Sequence, residues 1–511
     1  RAIKKLGRDF KDARLRRRLP MSLVAERAGI SVKTLGNIEN GDTGVSIGNV
    51  AAAIFALGMG TPFEEVLDLK NDTLGRLLEA PKASQDPTPE GLISRQQCSG
   101  TAIMDGRYSV FLQSGEPRSV GTLWLNNIRG RVASTFLYDL EWARDPAAFS
   151  LSPDLPLDTS TRSCDGLFLC FQDCSPDRWG RVLLRRQENR QAREERRKPR
   201  TLLDSDFLLL VSDVARQGAI RLSADEGRTF LSSGDRNHIP PLTTLPKLLN
   251  ASVGVEIRED TEDDIRLLVA PGSSLGGARP KASVIDGDEL LIAKFPSSND
   301  DRDVPLWEYV TFKVAERAGL SIPQVRLQRV GDKSVLLVQR FDRTPSGRIP
   351  FMSAMSLMQA KDGDHKSYVD IAIELQATGC AADDDLRQLW SRMVFNMCVY
   401  NVDDHLRNHG FLRRAGGWTL SPAYDLEIAH PSEKAAFLHT AIIDDEASFD
   451  LQAAIDVAEF FRLKTDAAKE CVKRIRKAVS FWRDEAVKVG AKSAEINLMR
   501  DSYEFIDQVT P

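Results

Sequence analysis

The sequence predicts an α+β protein in two parts: a small all-helical domain, then a larger two-lobed one, β-rich at first and mainly helical later. Three observations carry this. Residues 3–67 break into short apolar-periodic segments punctuated by Ser, Gly and Pro, as in a compact helical module. Strand-like runs recur between 105 and 345, whereas helical periodicity dominates after 350. Residues 78–103 mix Pro, Ser, Gln and Gly with few large apolar residues, the composition of a linker. The expected boundaries are therefore 1–77 for the helical domain, 78–103 for the linker, 104–345 for the first lobe and 346–511 for the second.

In the first part, apolar residues at Ile3, Leu6, Phe10 and Ala13 mark one face of a helix over Ile3–Leu15, which Pro20 interrupts. Ser22 is placed to cap Leu23–Ala28, with Glu26 near the capping-box position and Gly29 ending the helix. Ser31 is placed to cap Val32–Glu39, and Asn40-Gly41 stops that helix. Val50–Leu57 and Pro62–Leu67 complete the set. In the second part, "RYSVFLQSG" alternates as a strand, and Arg185–Arg200 is an exposed helix or a loop. Ile265–Val269, Ala282–Ile285, Leu290–Phe295 and Ser334–Gln339 read as strands, with a helix Leu306–Ala318 before the last. A loop-like break over 401–427 divides the helical region.

Composition narrows the class. With 42% hydrophobic and 28% charged residues, the chain can bury a large core. Seven scattered cysteines without C-x-x-C spacing, and no secretory segment, fit a reducing cytoplasm. No apolar run approaches the ~20 residues of a membrane span. The net charge of −4 hides a basic start, eleven Lys/Arg against three Asp/Glu over residues 1–33, which suits an anionic partner.

That basic start coincides with a helix, a tight Gly turn and a second helix, "MSLVAERAGISVKTLGNIENG", the helix-turn-helix arrangement. Ile30, Leu35 and Ile38 point to a core. Ser31, Lys33, Thr34 and Asn37 are left to reach base edges, while Arg14, Arg16, Arg17 and Arg18 suit phosphates. The segment resembles the Xre/Cro-type helix-turn-helix family, including the HipB antitoxins, which implies operator DNA as a partner.

Three further segments carry chemistry. In "NVDDHLRNHGF", Asp403 and Asn408 stand five apart, in the order in which a kinase places the carboxylate that takes the hydroxyl proton and the amide that holds a metal. "LSPAYDLE" then supplies Asp425 as a second oxygen ligand for magnesium. "PGSSLGGARPKAS" offers glycines to a phosphate, with Lys281 following, although it lacks the Walker spacing. "LLIAKFP" puts Lys294 on a strand, as in kinases that grip nucleotide phosphates. His405 and His409 have zinc-helix spacing, but Leu406 replaces the glutamate that a zinc hydrolase needs.

These segments, with "PDRWGR", "ARQGAIRL", "VQRFDR" and "FMSAMSLMQA", resemble the HipA family of serine/threonine kinases, toxins of HipBA toxin–antitoxin pairs. The resemblance implies a kinase-like fold, ATP and Mg2+ as cofactors, and Asp403 as catalytic base. It further implies Asn408 and Asp425 as metal ligands, Lys294 and Lys281 on ATP phosphates, and Gly276 and Gly277 in the Gly-rich loop. An adenine hinge would lie near Gln339–Phe341, and autophosphorylation would fall at Ser274, with Ser273 adjacent. The protein target of such kinases includes aminoacyl-tRNA synthetases, and an N-terminal HipB-like domain implies a homodimer on a palindromic operator. Val402 and Gln339 stand where the family often has Thr and Glu, and Arg279-Pro280 stiffens the loop. The alternative is a DNA-binding autorepressor with a catalytically silent kinase-like domain.

Overall fold

A computed structural model describes residues 2–17, 19–28, 30–42, 45–57, 106–128, 130–233, 239–269, 277, 279–345 and 347–509. The chain divides into two compact units, 1–99 and 100–511.

The first unit holds helices α1 (Ala2–Arg16), α2 (Met21–Arg27), α3 (Val32–Glu39) and α4 (Ile47–Ala56). Phe10, Ala13, Val24, Ala25, Leu35, Ile38, Ala53 and Ile54 close one core between them. Ser31 has extended backbone and accepts the Thr34 amide at 3.0 Å, so it caps α3 as expected. Asn40 closes that helix, and Gly41 takes the left-handed φ of 69°. A Cβ at Gly7 would sit 2.5 Å from the Ile38 carbonyl, so α1 lies flush against the end of α3.

Two caps differ from expectation. Helix α2 starts at Met21, which places Ser22 inside its first turn, and the Pro20 carbonyl accepts the Val24 amide at 3.3 Å. Pro20 thus opens the helix, where its fixed φ is an advantage. Helix α4 starts earlier than Val50, because Ser46 accepts the Asn49 amide. Gly29, Arg18, Pro62–Leu67 and the linker 78–103 lie outside the described residues.

The second unit opens with strands β1 (Gly106–Leu112), β2 (Arg118–Ile128), β3 (Arg131–Tyr138), β4 (Arg162–Asp165) and β5 (Ile220–Ser223) in one antiparallel sheet, order β4-β3-β2-β1-β5. Tyr108, Val110 and Leu112 alternate into its core, as the period-2 pattern requires. Strands β6 (Lys281–Asp286), β7 (Glu289–Lys294), β8 (Val325–Val330) and β9 (Lys333–Gln339) form a second antiparallel sheet, order β6-β7-β9-β8. One face, with Ala282, Val284, Leu291 and Ala293, packs on helices Leu245–Ile257 and Glu262–Val269. The other, through Leu336 and Val338, joins helix Val304–Arg317 and the helical second half in the largest core.

The run Ile265–Val269 is helical, not a strand. Ile265 and Leu268 are its buried residues, and three acidic residues in the first turn favour the helix N-terminus. A run of five residues, four of them apolar, cannot by itself distinguish the two periods. The charged stretch after Arg185 continues helix Arg178–Glu194, and buried Glu188 clasps Arg197 and Arg200 beyond its end. The break at 401–427 contains a 3₁₀ turn, Leu406–Asn408. It also holds two strands of a three-stranded sheet that pairs Phe351–Ser353 with Gly410–Arg414 and the latter with Gly417–Leu420. Among the described residues, no helix is long and apolar enough to cross a membrane.

Candidate active site

Lys294 ends β7, and its ammonium lies 2.5 Å from Glu308 Oε1 and in contact with Asp425 Oδ1. Glu308 comes from helix Val304–Arg317 and Asp425 from the segment after the last strand, so three elements converge on one cation. Asp425 adopts the left-handed φ of 56°, uncommon for a residue with a side chain although Asp tolerates it better than most. Burial opposes the charge on Lys294, but Asp425 and Glu308 outweigh it and hold its pKa above the ordinary lysine value. Burial raises Glu308, with Lys294 offsetting only part of the shift. Asp425 is kept low because Lys294 and Lys281 overcome the cost of burying it.

Lys281 does not project from the Gly-rich loop; it is the first residue of β6, opposite Lys294 in the register. Its buried ammonium sits 3.0 Å from Asp177 Oδ2 as an ion pair. The other oxygen of Asp177 caps helix Arg178–Glu194 by accepting the Gly180 amide at 2.7 Å. Burial pushes Asp177 up to about 6, against the pull of Lys281. Gly277 has φ 93°, and a Cβ there would lie 3.0 Å from Lys281 Nζ and 3.7 Å from Asp425 Oδ2. Its backbone therefore passes directly over both side chains. Gly276, Ser274 and Ser273 lie outside the described residues.

The loop after helix Ala382–Cys398 treats its two adjacent carboxylates oppositely. The Asp403 side chain is 50% exposed, with Lys434 Nζ 3.5 Å from its Oδ1. Its backbone is fixed on both sides: the Asp403 amide donates to Asn401 Oδ1 at 3.1 Å, and Asn408 Nδ2 donates to the Asp403 carbonyl at 2.7 Å. Asp404 is 1% exposed and accepts from Tyr368 Oη and from the His439 amide, each at 2.7 Å. Burial pushes its carboxyl up to about 6 despite these donors. Asn408 is buried, and its Oδ1 is without a hydrogen-bond partner.

His405 and His409 do not act as a pair. His409 Nε2 lies 3.1 Å from the Asp404 carbonyl, and burial lowers that imidazole to about 3, whereas the His405 ring packs edge-on against His439.

Beside Lys294 runs a narrow cleft lined by Ile292, Val338, Gln339, Arg340, Phe341, Tyr424 and Asp425. The Phe341 and Tyr424 rings stand 5.4 Å apart, and the Gln339 amide turns away to Glu289 at 3.1 Å. Asp342 anchors this stretch by accepting from Arg340, Arg343 and the Gly218 amide.

Sequence reasoning missed Glu308 and Asp177. Glu308 has a visible signal, a lone carboxylate among the apolar residues of "VPLWEYVTF". Asp177 has its place in "PDRWGR", a motif with no role attached, and before a helix.

In the first unit, Lys33 and Arg16 are exposed, as is Arg17, while Thr34 and Asn37 are half-buried on α3 and Ser31 is exposed at its cap. Arg14 is not available to phosphate. It is 6% exposed, with Nε 2.5 Å from Glu39 Oε1 and Nη1 2.9 Å from the Leu19 carbonyl, and so braces α1 against α3.

Three family models match the chain: a helix-turn-helix over 10–60, the HipA N-terminal domain over 109–205 and the HipA-like C-terminal domain over 273–482. Among solved structures, it is similar to a chain from the Shewanella oneidensis MR-1 toxin–antitoxin complex of HipA, HipB and operator DNA. That match has 16% identity and a TM-score of 0.56, over 77% of this chain and 95% of that one. A Helicobacter pylori proinflammatory kinase, CtkA, matches at 14% identity and a TM-score of 0.32, over 46% of this chain and 94% of that one. The two HipA models together span more than half of the sequence, and the chain belongs to the HipA family, with a helix-turn-helix domain ahead of its HipA domains.

Proposed function

We propose that the larger unit is an ATP- and Mg2+-dependent protein serine/threonine kinase and that the smaller unit binds operator DNA. The observation that carries the kinase reading is the convergence of Lys294, Glu308 and Asp425 beside a cleft. A strand lysine held by a helix glutamate is what nucleotide phosphates require in kinases.

The residues fit magnesium. Asn408 Oδ1 is a buried oxygen without a partner, and Asp425 is a carboxylate kept ionised, both hard donors. Bound there, the metal would supply positive charge to the phosphates. Ile292 and Val338 offer a flat apolar wall to adenine, with Gln339–Phe341 contributing backbone groups. Lys294 and Lys281 offset phosphate charge, and the Gly277 backbone leaves room for it. Asp403 orients the acceptor hydroxyl and takes its proton as that oxygen bonds to the γ-phosphorus. The bond to the β–γ bridging oxygen breaks, and ADP departs with the electron pair.

Ser274 is the proposed self-modification site; added phosphate there would repel the loop from Asp425. The target is a protein, with an aminoacyl-tRNA synthetase as the family precedent, and the compartment is the cytoplasm. On the smaller unit, Ser31, Lys33, Thr34 and Asn37 face bases, and Arg16 and Arg17 face phosphates. A homodimer through this unit matches a palindromic operator. Its covalent attachment keeps an antitoxin-like domain at high local concentration near the kinase.

The test is transfer from γ-labelled ATP to the purified chain, with Asp403→Asn as control. Label on the parent and none on the variant is expected. Absence of label from both, with operator binding intact, would refute the kinase reading and favour the autorepressor.

A further inference from the structure

Little holds the Asp403 carboxylate directly. Its side chain is half in solvent, and Lys434, 3.5 Å away, is itself 53% exposed. An exposed pair of this kind fixes geometry weakly. The place of the carboxylate therefore follows from the backbone of residue 403.

Behind that backbone lies a ring of hydrogen bonds. The Asp403 amide donates to Asn401 Oδ1, and Asn401 Nδ2 donates to Asn396 Oδ1, each at 3.1 Å. Asn396 Nδ2 donates to Tyr368 Oη at 3.0 Å, and Tyr368 Oη donates to Asp404 Oδ2 at 2.7 Å. Asp404 follows Asp403 in the chain, so its peptide link closes the circuit. Tyr368 opens helix Tyr368–Thr378, Asn396 lies in the last turn of helix Ala382–Cys398, and the remaining members belong to the loop. Tyr368, Asn396, Asn401 and Asp404 are each 3% exposed or less.

The two ends set the direction of every bond. A backbone amide only donates, and an ionised carboxylate only accepts. Asn401 must therefore turn its oxygen to Asp403 and its nitrogen to Asn396. Asn396 then gives its nitrogen to Tyr368, and Tyr368 its proton to Asp404. Reversing any member would set donor against donor or acceptor against acceptor in a buried site. The circuit thus has one arrangement, in which each bond polarises the next. The His439 amide holds Asp404 from its other oxygen.

We propose that Tyr368 and Asn396, acting through Asn401, are positioning residues for phosphoryl transfer: the ring they complete fixes the Asp403 backbone and so aims its carboxylate at the acceptor hydroxyl. This rests on the kinase reading above. None of the three lines the cleft beside Lys294, so nucleotide binding stands apart from the ring.

The full-length chain is given γ-labelled ATP at rising concentrations. The initial rate of self-labelling is compared among the parent, Tyr368→Phe, Asn401→Ala, their double variant and Asn401→Ser, with circular dichroism as the check on folding. Tyr368→Phe and Asn401→Ala are each expected to lower the maximal rate about tenfold or more, with half-saturating ATP within about twofold of the parent. The double variant is expected to be no slower than the slower single one, because the ring acts as a unit. Asn401→Ser keeps an oxygen for the Asp403 amide and is expected to recover about threefold or more of the rate lost in Asn401→Ala. An unchanged rate in Tyr368→Phe, a half-saturating ATP that rises as the rate falls, additive losses, or no recovery with serine overturns the proposal alone. If Tyr368→Phe does not fold, the two Asn401 variants decide. If Asn401→Ala does not fold either, the ring is a folding element and the positioning role is refuted. A parent chain that takes no label refutes the kinase reading and the positioning role with it.

Discussion

Asp404→Asn removes a buried charge without changing shape, and its effect on stability should depend on pH in one direction. Asp404 is 1% exposed, and burial raises its carboxyl from 3.8 to about 6. At about 1.4 kcal/mol per unit, that shift corresponds to roughly 3 kcal/mol. Because the folded value is the higher one, the native state binds the proton more tightly than the unfolded chain does. The associated stability is fully present below about 4, and it is lost as the pH rises through about 6. Asparagine cannot titrate, so the parent gains on the variant as the solution is acidified. The penalty of Asp404→Asn should grow by about 2 kcal/mol between pH 7.5 and pH 4.5. Urea unfolding followed by tryptophan fluorescence measures this, since all seven tryptophans lie in the larger unit and report on it alone. A penalty that is constant with pH, or that shrinks on acidification, would refute the assignment of Asp404 as a carboxyl raised by burial. Asp403→Asn is the matched control: being half-exposed, it should shift stability by less than about 0.5 kcal/mol at either pH, while lowering phosphoryl transfer by about 10²–10⁴.

Lys294→Ala leaves Glu308 and Asp425 side by side without their cation and should cost about 3–5 kcal/mol in the same unfolding experiment. Glu308→Gln keeps the volume and should cost less, yet lower kcat/KM for ATP at least tenfold in a steady-state assay. Gly277→Ala combines a left-handed φ with a Cβ 3.0 Å from Lys281 Nζ, so the KM for ATP should rise by an order of magnitude or so, measured at saturating acceptor. In the first unit, Arg14→Ala exposes a buried Glu39 to no partner and should abolish operator binding by unfolding the module, visible as lost helical circular dichroism. Arg16→Gln should keep the fold and reduce the slope of log affinity against log salt by about one.

Much of the site could be read from the sequence because its signals are local. Spacing along one stretch of chain singles out Asp403, Asn408 and Asp425 as candidates, and capping chemistry that acts within four residues picks out Ser31 and Asn40-Gly41. What the sequence withheld depends on distant partners. Arg14 belongs to a basic run, and only the approach of Glu39 from a different helix turns it into a brace. The two carboxylates of "VDDH" are chemically identical in sequence, and their separation into one exposed and one buried group comes from Tyr368 and His439. Glu308 lies on an apolar helix face, where its meaning requires Lys294 from a strand that precedes it. The segment Glu262–Val269 was ambiguous for another reason: the apolar run that read as a strand is too short to carry a period.

Asp177 lies within the stretch matched by the HipA N-terminal model, and Lys281 within that matched by the C-terminal one. One carboxylate both starts the helix Arg178–Glu194 and holds the lysine beside Asp425. The consequence concerns exchange between relatives. A chimera that took residues 109–205 from one homologue and the remainder from another would join two halves whose sequence boundary runs through a single buried ion pair. Such a swap would keep the pair only if one parent supplied a carboxylate at 177 and the other a lysine at 281, so the two segments are coupled in this chain even though the family models divide them.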